Sequence, residues 1–343
     1  MGVELGDLVP KEKVTLDQFS GRSIAVDGYN SLYQFLAIIR GPTGEPLMDR
    51  KGRVTSHLSG LLYRTTNMVE RGIRIAYVFD GIPPSLKEAE IKRRSKAKEA
   101  AQLKYENAIA RGDLEEAKMY AQATSRVKDL MVEDAKRLLD ALGVPWVQAP
   151  SEGEAQAAFI AKKGDVWAAA SQDYDSLLFG APRLVRNLAI SGRRKLPRRE
   201  AYVEVEPEVV ELSRVLSELG ISREQLVDVG ILVGTDYNPD GVKGIGPKTA
   251  LKMVKEQGSI DRILPNLQVE FAEDPSKIRG IFLSPKVTEN YSTTWSKPKP
   301  DEVVQFLCGE RDFSEERVRN AVERMISGLE EQEKKRTLDT FFR

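Results

Sequence analysis

The chain has 343 residues, 52 basic and 52 acidic side chains that cancel, a single cysteine (Cys308) and a single histidine (His57). This length admits a large α/β domain with insertions or two domains, and the cysteine count excludes disulfides and multi-cysteine zinc sites. One histidine argues against serine or cysteine triads and histidine-rich metal centres, so hard, oxygen-liganded chemistry in a reducing, intracellular compartment is the remaining expectation. The opening MGVELGDLVPKEK has no apolar signal segment, and Gly6 stands where a myristoylation motif carries Ser or Thr. No later run is long enough to span a bilayer, so the expectation is a soluble protein with no membrane partner.

Three short apolar runs bounded by turn residues predict buried strands: SIAVDG (23–28), IRIAYVFDG (73–81) and DVWAAASQD (165–173). Helix-length segments such as 56–70 and 128–142 lie between them, and this alternation predicts a mostly parallel sheet flanked by helices with right-handed crossovers. Each strand leads into an aspartate, Asp27, Asp80 or Asp173, and ligands of such sheets sit beyond the carboxyl ends of the strands. From Pro83 and Pro84 onward the pattern is helical and strongly charged, with RGD (111–113) as a break between two helices, so an insertion standing away from the core is expected. GTDYNPDGVKGIGPKTALKMV (234–254) is a Gly, Asn and Pro cluster that runs into an amphipathic helix. Residues 301–330 read as two short helices, and EEQEKKRTLDTFFR as a mobile tail.

In SEGE and SQDYD, acids stand in pairs with one residue between them: Glu152 with Glu154, and Asp173 with Asp175. Ser151 and Glu154 fit an ordinary capping box, and strand-end aspartates are usually turn or cap residues. Those readings leave the coincidence unexplained. With Asp27, Asp80 and Asp236 the pairs make seven carboxylates, and such a cluster tolerates its repulsion when divalent cations sit within it. Magnesium suits carboxylate and water ligands, and two ions about 4 Å apart can activate a water and stabilise the leaving oxygen of a phosphodiester. A glycosidase-like acid/base pair needs only two acids.

Lys87, Lys92, Arg93, Arg94, Lys96 and Lys98 against Glu88 and Glu90 leave an excess of four positive charges on one predicted helix. A solvated helix face explains charge alone; the closeness of Asp80 in sequence favours a grip on a scissile phosphate. RKLPRR (194–199) mimics a nuclear signal but reads as a surface turn. Gly244, Gly246 and the following PKTA match a helix-hairpin-helix, whose exposed N–H groups hold a phosphate without reading the base; Lys243 and Lys248 lie beside them. A plain glycine-rich turn is the alternative there. Leu338, Phe341 and Phe342 form an apolar cluster on a polar tail, which one turn of helix would gather into a plug for a partner's pocket.

In this order, VDGYNSLYQF, VFDGIPPSLK, APSEGEAQAA, SQDYDSLLFG, GTDY and GVKGIGPKTA resemble the flap endonucleases of the structure-specific 5′ nuclease superfamily over nearly the whole chain, the archaeal form most closely. The resemblance implies that Asp27, Asp80, Glu152, Glu154, Asp173, Asp175 and Asp236 are the metal-site carboxylates for two Mg2+, which Mn2+ can replace. It implies that Lys87 and Arg94, at the base of a helical arch, stabilise the cleaved phosphate, and that Tyr33 stacks on the neighbouring nucleotide with Arg93 among the DNA contacts. The hairpin would hold duplex with a monovalent cation, and the tail would bind a PCNA-type sliding clamp, although Lys335 stands where the clamp motif carries Gln. The expected organisation is one nuclease domain over 1–330: an N-terminal region (1–81), the arch (82–130), an internal region (131–225), the helix-hairpin-helix (226–260) and a C-terminal helical part (261–330), followed by a tail at 331–343.

The expected function is cleavage of 5′ flaps, with 5′-3′ exonuclease action, in DNA replication and repair by a monomer that is nucleoid-associated in an archaeon or nuclear in a eukaryote. A single-strand-specific metal RNase on the same sheet has no use for the hairpin. A non-catalytic, clamp-tethered binder of DNA junctions has no use for seven acids.

Overall fold

The computed structural model describes residues 2–41, 44–195, 202–267, 271 and 273–341, and of these only the backbone for 193–195, 202–204 and 335–341. In chain order the first elements are β1 (Glu12–Lys13), β2 (Ser23–Asp27), α1 (Gly28–Ile38), α2 (Ser56–Glu70) and β3 (Arg74–Phe79). Then come α3 (Glu88–Ala110), α4 (Leu114–Ala123), α5 (Asp129–Leu142), β4 (Trp146–Gln148), α6 (Gly153–Lys163), β5 (Ala168–Ala170), α7 (Asp175–Leu178) and β6 (Arg183–Arg186). A hairpin of β7 (Gly192–Lys195) and β8 (Tyr202–Val205) precedes β9 (Glu208–Glu211), α8 (Leu212–Leu219), α9 (Arg223–Val233), α10 (Pro247–Gln257) and α11 (Ile260–Ile263). The chain ends with α12 (Pro275–Leu283), α13 (Pro300–Val304) and α14 (Glu315–Phe341).

The main sheet has the order β1-β9-β6-β5-β2-β3-β4, parallel from β6 to β4, with β9 and β1 as an antiparallel margin. Its central strands are apolar throughout because both faces are covered. Ala25, Val78 and Ala169 point into one core with α6, α9, α10 and α12. Their neighbours Ile24, Val26, Tyr77, Phe79 and Ala170 point into the other with α1, α2, α5 and α14, as a period of two requires. The expected parallel sheet and the helices at 56–70 and 128–142 are present; the third strand is shorter than the apolar run that announced it.

The charged segment after Pro84 forms α3 and α4, broken at Arg111–Asp113 as expected. Only Glu90, Ala101 and Ala108 of α3 are buried, so most of this helix stands off the core. The RKLPRR stretch from 196 onward lies outside the described residues. At the C-terminus the expectation needs correction, since α14 runs without a break to Phe341 where a tail from 331 was predicted. Val318, Ala321, Val322 and Met325 seat it on the core, and Gly328 lets it cross α2 closely: a Cβ there would lie 3.0 Å from Glu70 Cα. Good helix formers then carry the helix on.

His57, in the first turn of α2, is fully buried with neither ring nitrogen hydrogen-bonded among the described residues, and burial pushes its pKa down to about 4. The unfolded chain binds this proton near pH 6.5, so the contribution is fully present above pH 6.5 and is lost as pH falls through 4. Denaturant unfolding from pH 7.5 to 4 should show wild type losing about 3 kcal/mol relative to His57→Leu. Parallel curves would contradict this.

Candidate active site

Asp27 ends β2 and caps α1, its Oδ1 accepting from Asn30 N at 2.9 Å, so strand end and helix start fix one carboxylate together. Asp80 follows β3 and accepts from Gly153 N at 2.6 Å, which ties the β3 exit to the start of α6. That helix is not opened by the capping box expected at Ser151. Glu152 holds the cap position and makes no side-chain cap bond, while Ser151 Oγ donates to Ile82 O at 3.1 Å. Both glutamates are thereby left for the sheet edge, with Ser176 Oγ donating to Glu154 Oε1 at 3.4 Å. Beyond β5, Asp173 N donates to Ser171 Oγ at 3.2 Å, and Asp175 begins α7 with its Oδ1 accepting from Val3 N at 2.7 Å. Asp236 comes from the turn between α9 and α10.

All seven predicted acids therefore meet at the carboxyl edge of the sheet, where each is felt by others. Burial, then repulsion from Asp80, holds Asp27 well above the usual carboxylate range. Burial, then Asp175 and Asp173, does the same to Glu154. Burial also raises Asp80 and Glu152, and together with Asp236 and Asp173 it pushes Asp175 up to about 7.

The positive charge comes from the base of α3. Lys87 Nζ lies 2.5 Å from Glu152 Oε2 and 3.2 Å from Asp236 Oδ2. Burial alone would lower its pKa, but Glu152 and Asp236 outweigh burial and raise it. Arg94 reaches Asp236 with one nitrogen and Glu90 Oε1 with its Nε at 2.7 Å. Among the described residues no three His, Cys, Asp or Glu side chains meet at one ligating point as they stand. The donor set nevertheless fits a divalent cation: hard carboxylate oxygens, largely buried, whose mutual repulsion a dication would offset.

Of the predicted DNA contacts, Tyr33 on α1 is half-buried with Lys98 Nζ 5.1 Å above its ring, and Arg93 is exposed and paired with Glu90 at 2.6 Å. Lys243, Gly244, Gly246 and Lys248 are exposed at the start of α10. Gly244 has φ +85°, which demands glycine, whereas Gly246 has φ −88° and a Cβ there would touch nothing within 4 Å. Phe342 lies outside the described residues, as do the side chains of Leu338 and Phe341.

Two participants had no signal in the sequence. Glu90 is buried and holds both Arg93 and Arg94, although it reads as an ordinary acid on a charged helix. Gly2 packs so tightly against the site that a Cβ would lie 2.4 Å from Asp175 Oδ1. Gly2→Ala should therefore displace the Val3 amide from Asp175 and lower kcat by about 10- to 100-fold, the usual cost of losing a partner of a ligating group, while the unfolding midpoint stays near that of wild type. Wild-type turnover would contradict this geometry.

Residues 1–101 match the XPG N-terminal domain and residues 143–236 the XPG I-region, together more than half of the chain, which is thus an XPG-type nuclease. Flap endonuclease 1 of Ignicoccus hospitalis is 59% identical over 349 aligned positions, covering 100% of this chain and 99% of that protein; its Pyrococcus horikoshii namesake is 53% identical, covering 100% and 98%. The solved flap endonuclease-1 from Methanococcus jannaschii superposes with a TM-score of 0.77 at 44% identity, over 96% of this chain and 100% of that one. The chain belongs to the flap endonuclease 1 family, whose members are metal-dependent nucleases.

Proposed function

We propose that this chain is a 5′ flap endonuclease that hydrolyses a DNA phosphodiester at a single-strand/duplex junction with two Mg2+, or Mn2+ in their place. The observation that carries the reading is the gathering of seven carboxylates at one sheet edge beneath the cations of α3. Asp27, Asp80, Glu152, Glu154, Asp173, Asp175 and Asp236 would hold the ions, which supply Lewis acidity to the phosphodiester. Lys87 and Arg94 are side chains long enough to exchange their carboxylate partners for the scissile phosphate. Tyr33 offers a ring face to the adjacent base once Lys98 leaves it.

The turn at Gly244 and Gly246 serves duplex anchoring. The protein's own packing gives no reason for glycine at Gly246, and a phosphate backbone approaching the N–H groups of α10 does. A monovalent cation there and a PCNA-type clamp on the Leu338, Phe341 and Phe342 plug belong to the same reading, with the chain acting as a monomer. Deleting residues 335–343 should leave cleavage by the isolated enzyme unchanged and remove its stimulation by clamp; slower clamp-free cleavage would contradict a separate tether.

Matched flap, nicked and single-stranded substrates, with Mg2+ or with EDTA, test the function. Cutting at the flap junction in Mg2+ only is expected. Equal cutting of single-stranded RNA would favour the RNase reading, and tight junction binding without a cut would favour the non-catalytic one.

A further inference from the structure

The loop 171–175, which carries Asp173 and Asp175, is gripped from the neighbouring strand by Arg186, the last residue of β6. Arg186 Nε donates to Gln172 O at 3.0 Å, and Nη1 donates to the Tyr174 hydroxyl at 2.6 Å and to Glu208 Oε2 at 3.0 Å. Its Cζ also lies 4.3 Å from the centroid of the buried Tyr174 ring. Gln172 and Tyr174 flank Asp173, so one guanidinium fixes the chain just before the first acid and between the two. Glu208, the cross-strand partner of Arg186 in β9, holds the guanidinium; their side chains are only 20% and 17% exposed, so the pair is shielded from the screening that weakens surface ion pairs.

This set of contacts needs an arginine. A planar fork can make several directed bonds while stacking on a ring, whereas a lysine offers one compact charge. The grip acts on the loop from the β9 side, while Val3 N holds Asp175 itself.

We propose that Arg186 is a positioning residue for Asp173 and Asp175, oriented by Glu208, and that through Gln172 and Tyr174 it sets the affinity of this acid pair for a divalent cation. The inference rests on the reading of these acids as cation ligands. Groups that orient ligating side chains typically govern affinity by about 10- to 100-fold.

The test is calorimetric titration of Mn2+ into the full chain without DNA, paired with unfolding midpoints in EDTA. Wild type should bind Mn2+, Arg186→Met should bind about 10- to 100-fold more weakly, and Arg186→Lys should not restore the affinity. Tyr174→Phe, which keeps the ring and loses the hydroxyl, should show a smaller loss. Midpoints in EDTA should fall for Arg186→Met, which leaves Glu208 unpaired, and less for Tyr174→Phe, so affinities are compared at a temperature where each variant is folded; saturating Mn2+ should return kcat on a flap substrate towards the wild-type value. Wild-type Mn2+ affinity in Arg186→Met overturns the inference while leaving the cation centre intact; absence of Mn2+ binding by wild type overturns the cation centre and this inference with it. If Arg186→Met does not fold, Tyr174→Phe and Glu208→Gln decide, and unchanged affinity in both overturns the proposal.

Discussion

Replacing Asp175 by Asn is expected to lower kcat on a 5′ flap by about a thousandfold or more, to leave flap binding nearly unchanged, and to make the cation-free protein more stable. The first effect follows because a bound divalent ion contributes several kcal/mol at the transition state, and about 4 kcal/mol is a thousandfold in rate. The third follows from the electrostatics of the site. Burial, Asp236 and Asp173 lift the Asp175 carboxyl from its ordinary 3.8 to about 7, so ionising it in the folded protein costs about 4 kcal/mol. A neutral amide of the same shape removes most of that cost and can still accept the Val3 N–H, for a gain of about 2 to 4 kcal/mol at pH 8 in EDTA. Activity and stability moving in opposite directions is the signature of a strained functional site. A variant that was both inactive and destabilised would point to a structural role for Asp175.

The second large effect concerns Lys87. Lys87→Met keeps the apolar stem and removes the ammonium that bridges Glu152 and Asp236. Loss of a transition-state contact of this kind costs about 10²- to 10³-fold in kcat, with little change in KM. The same ammonium competes with cations for two of the acids, so Mn2+ affinity measured without DNA should be unchanged or tighter. Weaker Mn2+ binding would show that Lys87 supports the acids instead of acting on the substrate.

The central part of this site was legible in the sequence because it is built from local rules. Each parallel strand is an apolar run with a definite end, and in a parallel sheet those ends share one edge; Asp27, Asp80 and Asp173 could be placed there from periodicity alone. The pairs at 152/154 and 173/175 followed from spacing. What could not be read is the set of contacts made across long sequence distances. The Val3 amide meets a carboxylate 172 positions away, and Arg186 reaches the acid loop only because β6 lies beside β5. Ser151 fits a capping box by pattern, yet the close approach of the 80–82 loop turns its hydroxyl to Ile82 O. The helix within 301–330 was read, but its continuation to Phe341 was not, because EEQEKKRTLD carries no apolar stripe such as the one Val318, Ala321, Val322 and Met325 set against α2.

Cleavage by this chain depends on the acids acting as a two-ion centre. Counting Mn2+ bound per chain by electron paramagnetic resonance, in wild type and in Asp175→Asn without DNA, tests that directly. Two ions with the spin coupling of a close pair in wild type, and loss of that coupled signal in the variant, are the predicted result; a single uncoupled ion in wild type, unaltered by Asp175→Asn, would contradict it.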